Sequence, residues 1–73
     1  MNLDHLIKMA NEISFFWDGE APGEKAVNEV KMHLRRYWEP RMRAQIMTYF
    51  DERQGAGLSD TAKAAVAALK TAP

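Results

Sequence analysis

Residues 37 to 43 place two aromatic side chains, a proline and two arginines in one short segment. Proline suits the first position of a helix, and it pushes the residue before it out of the helical region. We therefore predict that one helix ends near Trp38 and another begins at Pro40. Arg41 and Arg43 then lie in the first turn of that helix, where its dipole disfavours a cation by a few tenths to about 1 kcal/mol. We expect other groups to compensate them.

Other residue types give little support for enzyme chemistry. The chain has no cysteine, and its two histidines, His5 and His33, lie far apart in sequence, so we expect no metal site. Gly55 and Gly57 follow a predicted helix, whereas a phosphate-binding glycine loop follows a strand. Serines and threonines occupy ordinary cap or helix-surface positions. We predict a chain without catalytic residues and without a bound cofactor.

Length and composition limit the size of the core. The chain has 73 residues, which we assign to one domain spanning 1–73, and 11 of its hydrophobic residues are alanines. A domain of this size buries only about 60% of the surface that its unfolded chain exposes. Stabilisation by another chain is therefore expected. The amino terminus lacks the pattern of a secretory signal and no apolar run reaches the length of a membrane span, which predicts a cytoplasmic protein without membrane contact.

Charge is unevenly distributed although the formal net charge is zero. Residues 1–30 contain two basic and six acidic residues, whereas residues 31–43 contain five basic residues and one acidic residue. A solvated helix face is the usual interpretation of such a short basic segment. The alternative is an anion or nucleic-acid site, formed by Lys31, Arg35, Arg36, Arg41 and Arg43.

Apolar residues at three- and four-residue spacing predict an all-α fold, a small bundle of three core helices plus a shorter C-terminal helix. The first helix is capped by Asn2 and is expected to stop at Asp18-Gly19. The second is expected to begin at Pro22 and to run to the break before Pro40.

The third helix is predicted to end before Gln54, where the following glycines permit left-handed backbone geometry. Ser59 can cap the fourth helix, which is rich in alanine and is expected to be the weakest packer of the four.

Three apolar residues lie outside the helical stripes. Phe15 and Met32 point nearly opposite the stripes of their helices, and Met47 flanks the third stripe, so all three are expected at the surface. Flexible apolar groups beside guanidinium groups are typical of protein-binding surfaces. The predicted partner-binding residues are Phe15, Met32, Arg35, Arg36, Arg41, Arg43 and Met47. Tyr37, Trp38 and Pro40 are predicted to form a structural corner.

Three segments resemble one family. They are Leu3–Ile13 followed by Phe15-Phe16, the stretch His33–Arg43 with its Trp-acid-Pro-Arg-Met-Arg core, and Gly57-Leu58-Ser59 before the last helix. Together they are similar to the small delta subunit of cytoplasmic, molybdenum-containing, NAD-dependent formate dehydrogenases. Tyr37 and Glu39 stand where the family pattern usually has phenylalanine and aspartate, and both substitutions preserve the chemistry.

The resemblance implies an accessory subunit whose partner is the large (alpha) subunit of formate dehydrogenase and its complex. The other subunits of that complex would carry the molybdenum bis-pterin cofactor, iron-sulfur clusters, FMN and NAD. The implied role is in assembly, stability or cofactor insertion. The sequence leaves two alternatives open. One is a small helical nucleic-acid-binding protein that uses residues 31–43. The other is a free-standing homo-oligomer, for which weak self-association of the isolated chain is expected. Zero net charge and the Glu39-Pro40 break count against nucleic acid.

Overall fold

A computed structural model describes residues 2–71, which form four α-helices and no strand. The helices are α1 (Leu3–Glu20), α2 (Glu24–Tyr37), α3 (Pro40–Arg53) and α4 (Asp60–Thr71). The all-α class predicted from the apolar spacing is therefore confirmed.

Two side-chain caps and one proline mark three of the predicted helix boundaries. The Asp4 backbone N–H donates to Asn2 Oδ1 at 2.7 Å, and the Ala62 N–H donates to Ser59 Oγ at 3.1 Å. Trp38 leaves the helical region with ψ 138°, and Pro40 is the first residue of α3. The predicted break between the second and third helices is confirmed.

The turn between α1 and α2 differs from the prediction. Helix α1 continues through Gly19 to Glu20, and α2 begins at Glu24 rather than at Pro22. A glycine inside a helix costs only about 1 kcal/mol, and the Thr61 hydroxyl holds the last turn by donating to Asp18 Oδ1 at 2.7 Å. Gly23, with φ 88°, supplies the left-handed geometry that reverses the chain before α2.

The buried core draws on all four helices and on the loop before α4. Its members are apolar residues that are at most 5% exposed: Leu6, Ala10, Ala26, Val30, Leu34, Trp38, Ile46, Leu58, Ala62, Ala65 and Val66. Helix α3 contributes only Ile46 to the fully buried set, so it is the most peripheral helix by this measure.

Helix α4 is the shortest helix, but it is not the weakest packer. Ala62, Ala65 and Val66 are completely buried, and α4 contacts each of the other three helices, α2 most extensively. Alanine side chains permit close approach between helix backbones, which compensates for their small volume. The prediction that the alanine-rich helix would pack most weakly is wrong for this reason, and the core comprises four helices.

A polar seam, which no local sequence pattern predicts, joins α1 to the start of α4. Asn11 donates through Nδ2 to the Gly57 carbonyl at 2.9 Å and accepts from the Ser59 N–H at 2.8 Å. Ser14, which is completely buried, donates to the Asn11 carbonyl at 2.8 Å and lies 2.7 Å from Ser59 Oγ. Burial of these hydroxyls is tolerated because each has a hydrogen-bond partner.

Trp38 closes the corner between α2 and α3 and is only 4% exposed. Its indole Nε1 is buried without a hydrogen-bond partner among residues 2–71. The ring therefore stabilises the fold by apolar burial and packing, and its polar atom contributes nothing favourable.

We predict that Trp38→Ala lowers the free energy of unfolding by about 3 to 5 kcal/mol, because it removes a large buried side chain. Trp38→Phe is expected to cost clearly less, since it keeps an aromatic ring and deletes the unpaired N–H. Chemical denaturation followed by circular dichroism measures both. Equal costs for the two variants would contradict this role for the ring.

Asn11→Ala is expected to lower the free energy of unfolding by about 2 kcal/mol, because two hydrogen bonds to the loop before α4 are lost. Asn28 is an exposed asparagine on α2, so Asn28→Ala is a matched control that should change stability by less than about 0.5 kcal/mol. If thermal melts of the two variants coincide, the polar seam does not hold α4 in place.

Candidate functional site

The most distinctive surface feature is a cleft of about 390 Å³ beside α2, which we call the aromatic cleft. Its lining consists of one residue from α1 and five from α2, namely Trp17, Glu29, Met32, His33, Arg36 and Tyr37. The α2 members recur at three- and four-residue intervals, so they occupy one face of the helix. Trp17 is half-buried against the core and forms the opposite wall.

Aromatic rings form two contacts along this surface. Phe16 packs edge-on against Trp17 with ring centroids 5.2 Å apart, and His33 lies 4.9 Å from the ring of Tyr37. Both distances fall in the range of favourable ring pairs. The contacts hold Phe16 and Tyr37 beside the cleft, although neither ring is buried in the chain.

Three large side chains are unusually exposed: Phe15 at 62%, Phe16 at 60% and Tyr37 at 72%. The predicted exposure of Phe15 is confirmed. Clustered exposed aromatics mark protein-interaction surfaces more often than scattered ones do. Phe16, Trp17, His33 and Tyr37 were not among the sequence-predicted partner-binding residues. The sequence offers one signal for this surface, because Phe16 directly follows Phe15 near the end of the first helix.

Tyr37 does not form the structural corner that was predicted for it. The buried positions of α2 step by four residues, through Ala26, Val30 and Leu34 to Trp38 at the cap. Each such step rotates the buried face by about 40° around the helix, because four residues exceed one turn. Tyr37 therefore lies outside the buried face at this end of α2, and its ring faces solvent next to His33. At the same corner, Trp38 is buried and Pro40 is the first residue of α3.

Met32 and Met47 are both less exposed than predicted. Met32 is half-buried and lines the aromatic cleft, where a flexible thioether suits a binding surface. Met47 is also half-buried, but it packs against the core and lines neither of the two grooves described here. It follows Ile46 on α3, and its long side chain reaches the core edge. Its expected exposure is therefore wrong.

The predicted arginines do not lie on one surface. Arg35 and Arg36 are exposed near the end of α2, and Arg36 also lines the cleft. Arg41 is exposed on α3 and lines a second groove of about 470 Å³, whose other residues are Leu3, Ala44, Gln45, Thr48, Tyr49 and Glu52. This distribution does not form the continuous basic face that a nucleic-acid-binding helix uses.

Arg43 is engaged within the fold. Its guanidinium donates to the Arg35 carbonyl at 3.1 Å and to the Trp38 carbonyl. These carbonyls belong to the C-terminal end of α2, where the helix dipole is negative and favours a cation. They supply the compensation that was expected for an arginine in the first turn of α3. Arg43 thus forms a cap between α2 and α3, and its predicted contact with a partner stays a prediction.

Among residues 2–71, no three histidine or carboxylate side chains gather in a metal-binding cluster. None of the described helices has both the length and the apolar character required to cross a membrane.

Comparison with known families gives one match. Residues 5–66 match the family described as "NADH-dependant formate dehydrogenase delta subunit FdsD". The match covers most of the chain, including α1 from its third residue onward, α2, α3 and the buried part of α4. The match defines the class of this protein, a small helical subunit of a larger enzyme. The chain belongs to the formate dehydrogenase delta subunit family, as the resemblance at residues 33 to 43 indicated. Searches of curated proteins and of solved structures gave no significant match.

Arg43→Gln is predicted to lower the free energy of unfolding by about 1 to 3 kcal/mol, because charge-assisted hydrogen bonds to two carbonyls are lost. Arg41→Gln is the matched control two residues earlier and should leave stability within about 0.5 kcal/mol of the parent. Thermal melts of the isolated variants make the comparison. A larger loss for Arg41 than for Arg43 would contradict the capping role.

Proposed function

We propose that this chain is a non-catalytic accessory subunit that docks on the large subunit of a cytoplasmic, molybdenum-containing formate dehydrogenase through its aromatic cleft. Family membership supports the enzyme complex, and two exposed rings support the docking surface: Tyr37, which lines the cleft, and Phe16, which contacts the cleft residue Trp17. The second groove is larger, but its lining contains a single aromatic side chain, Tyr49, and no methionine. Interfaces are enriched in aromatic residues and methionine at their centres, which favours the cleft.

The accessory role follows from what the chain can offer chemically. Its surface features are apolar rings and arginines, groups that bind a protein partner rather than transform a small molecule. We therefore assign the molybdenum cofactor, the iron-sulfur clusters, FMN and NAD to the other subunits. The chain would support assembly, stability or cofactor insertion by holding one conformation of the large subunit.

Exposed rings make the docking proposal testable without unfolding the chain. Phe16→Ala and Tyr37→Ala should each weaken binding to the purified large subunit by about thirtyfold, as expected for an aromatic residue at the centre of an interface. Melting temperatures of the free variants should stay close to that of the parent, because both rings are mainly exposed. Titration calorimetry measures the affinity.

Thr48→Ala serves as the control, since Thr48 is exposed in the second groove. It should bind like the parent. Loss of binding by Thr48→Ala together with full binding by the two ring variants would move the docking site to the second groove. Failure of the parent chain to bind the large subunit would refute the proposed partner.

A further inference from the structure

The aromatic cleft has opposite charges at its two ends. Glu29 lies near the first part of α2, Arg36 lies near its end, and both line the cleft. They are seven residues apart, so they share one helix face and are separated by about 10 Å along the axis. Met32 and His33 occupy the turn between them.

Neither charge is neutralised by the chain. The described part of the structure gives Glu29 and Arg36 no hydrogen bond and no ion pair. The two side chains cannot reach each other across two helical turns, because neighbouring pairs on a helix are three or four residues apart. Both remain available to a partner.

The apolar part of the cleft lies between these two charges. Trp17 forms one wall, and Met32 and the ring pair of His33 and Tyr37 lie on the α2 side. A partner segment that enters the cleft loses water around its central residue and meets one charge on each side. Electrostatic complementarity then fixes the direction in which the segment can lie.

We infer that the cleft takes a segment of the large subunit in a single direction, with an apolar central residue, a basic residue toward Glu29 and an acidic residue toward Arg36. This inference rests on the proposed function and adds the chemistry and the orientation of the bound segment. The separation of the two charges corresponds to about three residues of extended chain at 3.3 Å each, or to two turns of a helix.

Charge reversal tests the direction directly. Glu29→Lys and Arg36→Glu each place like charges together, and each is expected to weaken binding to the purified large subunit by at least about tenfold. The double variant Glu29→Lys/Arg36→Glu restores the net charge of the parent but reverses the polarity of the cleft. It should bind more weakly than either single variant.

Matched controls lie on α3, where Glu52 and Arg53 are exposed outside the aromatic cleft. Glu52→Lys, Arg53→Glu and their double variant should bind like the parent. Melting temperatures of all variants are compared with that of the parent, and unchanged values show that a loss of affinity reflects the interface.

Three outcomes would overturn the inference. Parental affinity of the double variant would show that the partner responds to net charge alone. Unchanged binding by all three cleft variants would show that the two charges do not contact the partner, while the docking proposal itself would survive. Equal losses in the α3 controls would show a long-range charge effect without orientation. If the parent does not bind the large subunit at all, the proposed function fails first.

Discussion

The packing of α4 against α2 is the constraint from which the surface of this molecule follows. Ala62, Ala65 and Val66 bring α4 close to the face of α2 that carries Val30 and Leu34. A chain of 73 residues has few large apolar side chains left to cover the neighbouring face of the same helix. That face forms the aromatic cleft, with only Trp17 of α1 beside it. The rings are exposed because this small chain has too few large apolar side chains to cover them.

The corner between α2 and α3 separates the roles of residues that are adjacent in sequence. Trp38 is buried, Tyr37 faces solvent, and Arg43 folds back onto the carbonyls of Arg35 and Trp38. The C-terminal end of α2 and the N-terminal end of α3 therefore meet around one guanidinium, whose favourable interaction with the carbonyls of α2 offsets the cost of a cation in the first turn of α3. Arg41, two positions away, makes no such contact and stays exposed. Buried, solvent-facing and helix-capping side chains thus alternate within seven residues.

Much of the fold could be predicted from the sequence because its signals are local. Asn2 and Ser59 as caps, and the break at Pro40, depend on backbone chemistry within a few residues. The start of α2 was misplaced because Pro22 is as compatible with a turn as with a first helical turn, and the positive φ of Gly23 decided between them.

The candidate site was less predictable because it depends on contacts between distant residues. Apolar spacing and the basic residues of the second helix indicate Met32 and Arg36 as surface residues. No local pattern shows that Trp17 lies opposite them. The position of Tyr37 beside Trp38 predicts a place in the corner, whereas burial at four-residue steps along α2, seen only in the fold, leaves its ring exposed. The seam of Asn11, Ser14 and Ser59 spans more than 40 sequence positions, and no local pattern indicates it.

Hydroxyl-radical footprinting of the chain, free and in complex with the formate dehydrogenase large subunit, tests the central claim most directly. The method measures the solvent accessibility of individual side chains. Docking through the aromatic cleft predicts that oxidation of Phe16, Met32 and Tyr37 falls strongly on complex formation, while oxidation of Tyr49 in the second groove stays as in the free chain. Protection of Tyr49 with no change at Phe16, Met32 and Tyr37 would contradict it.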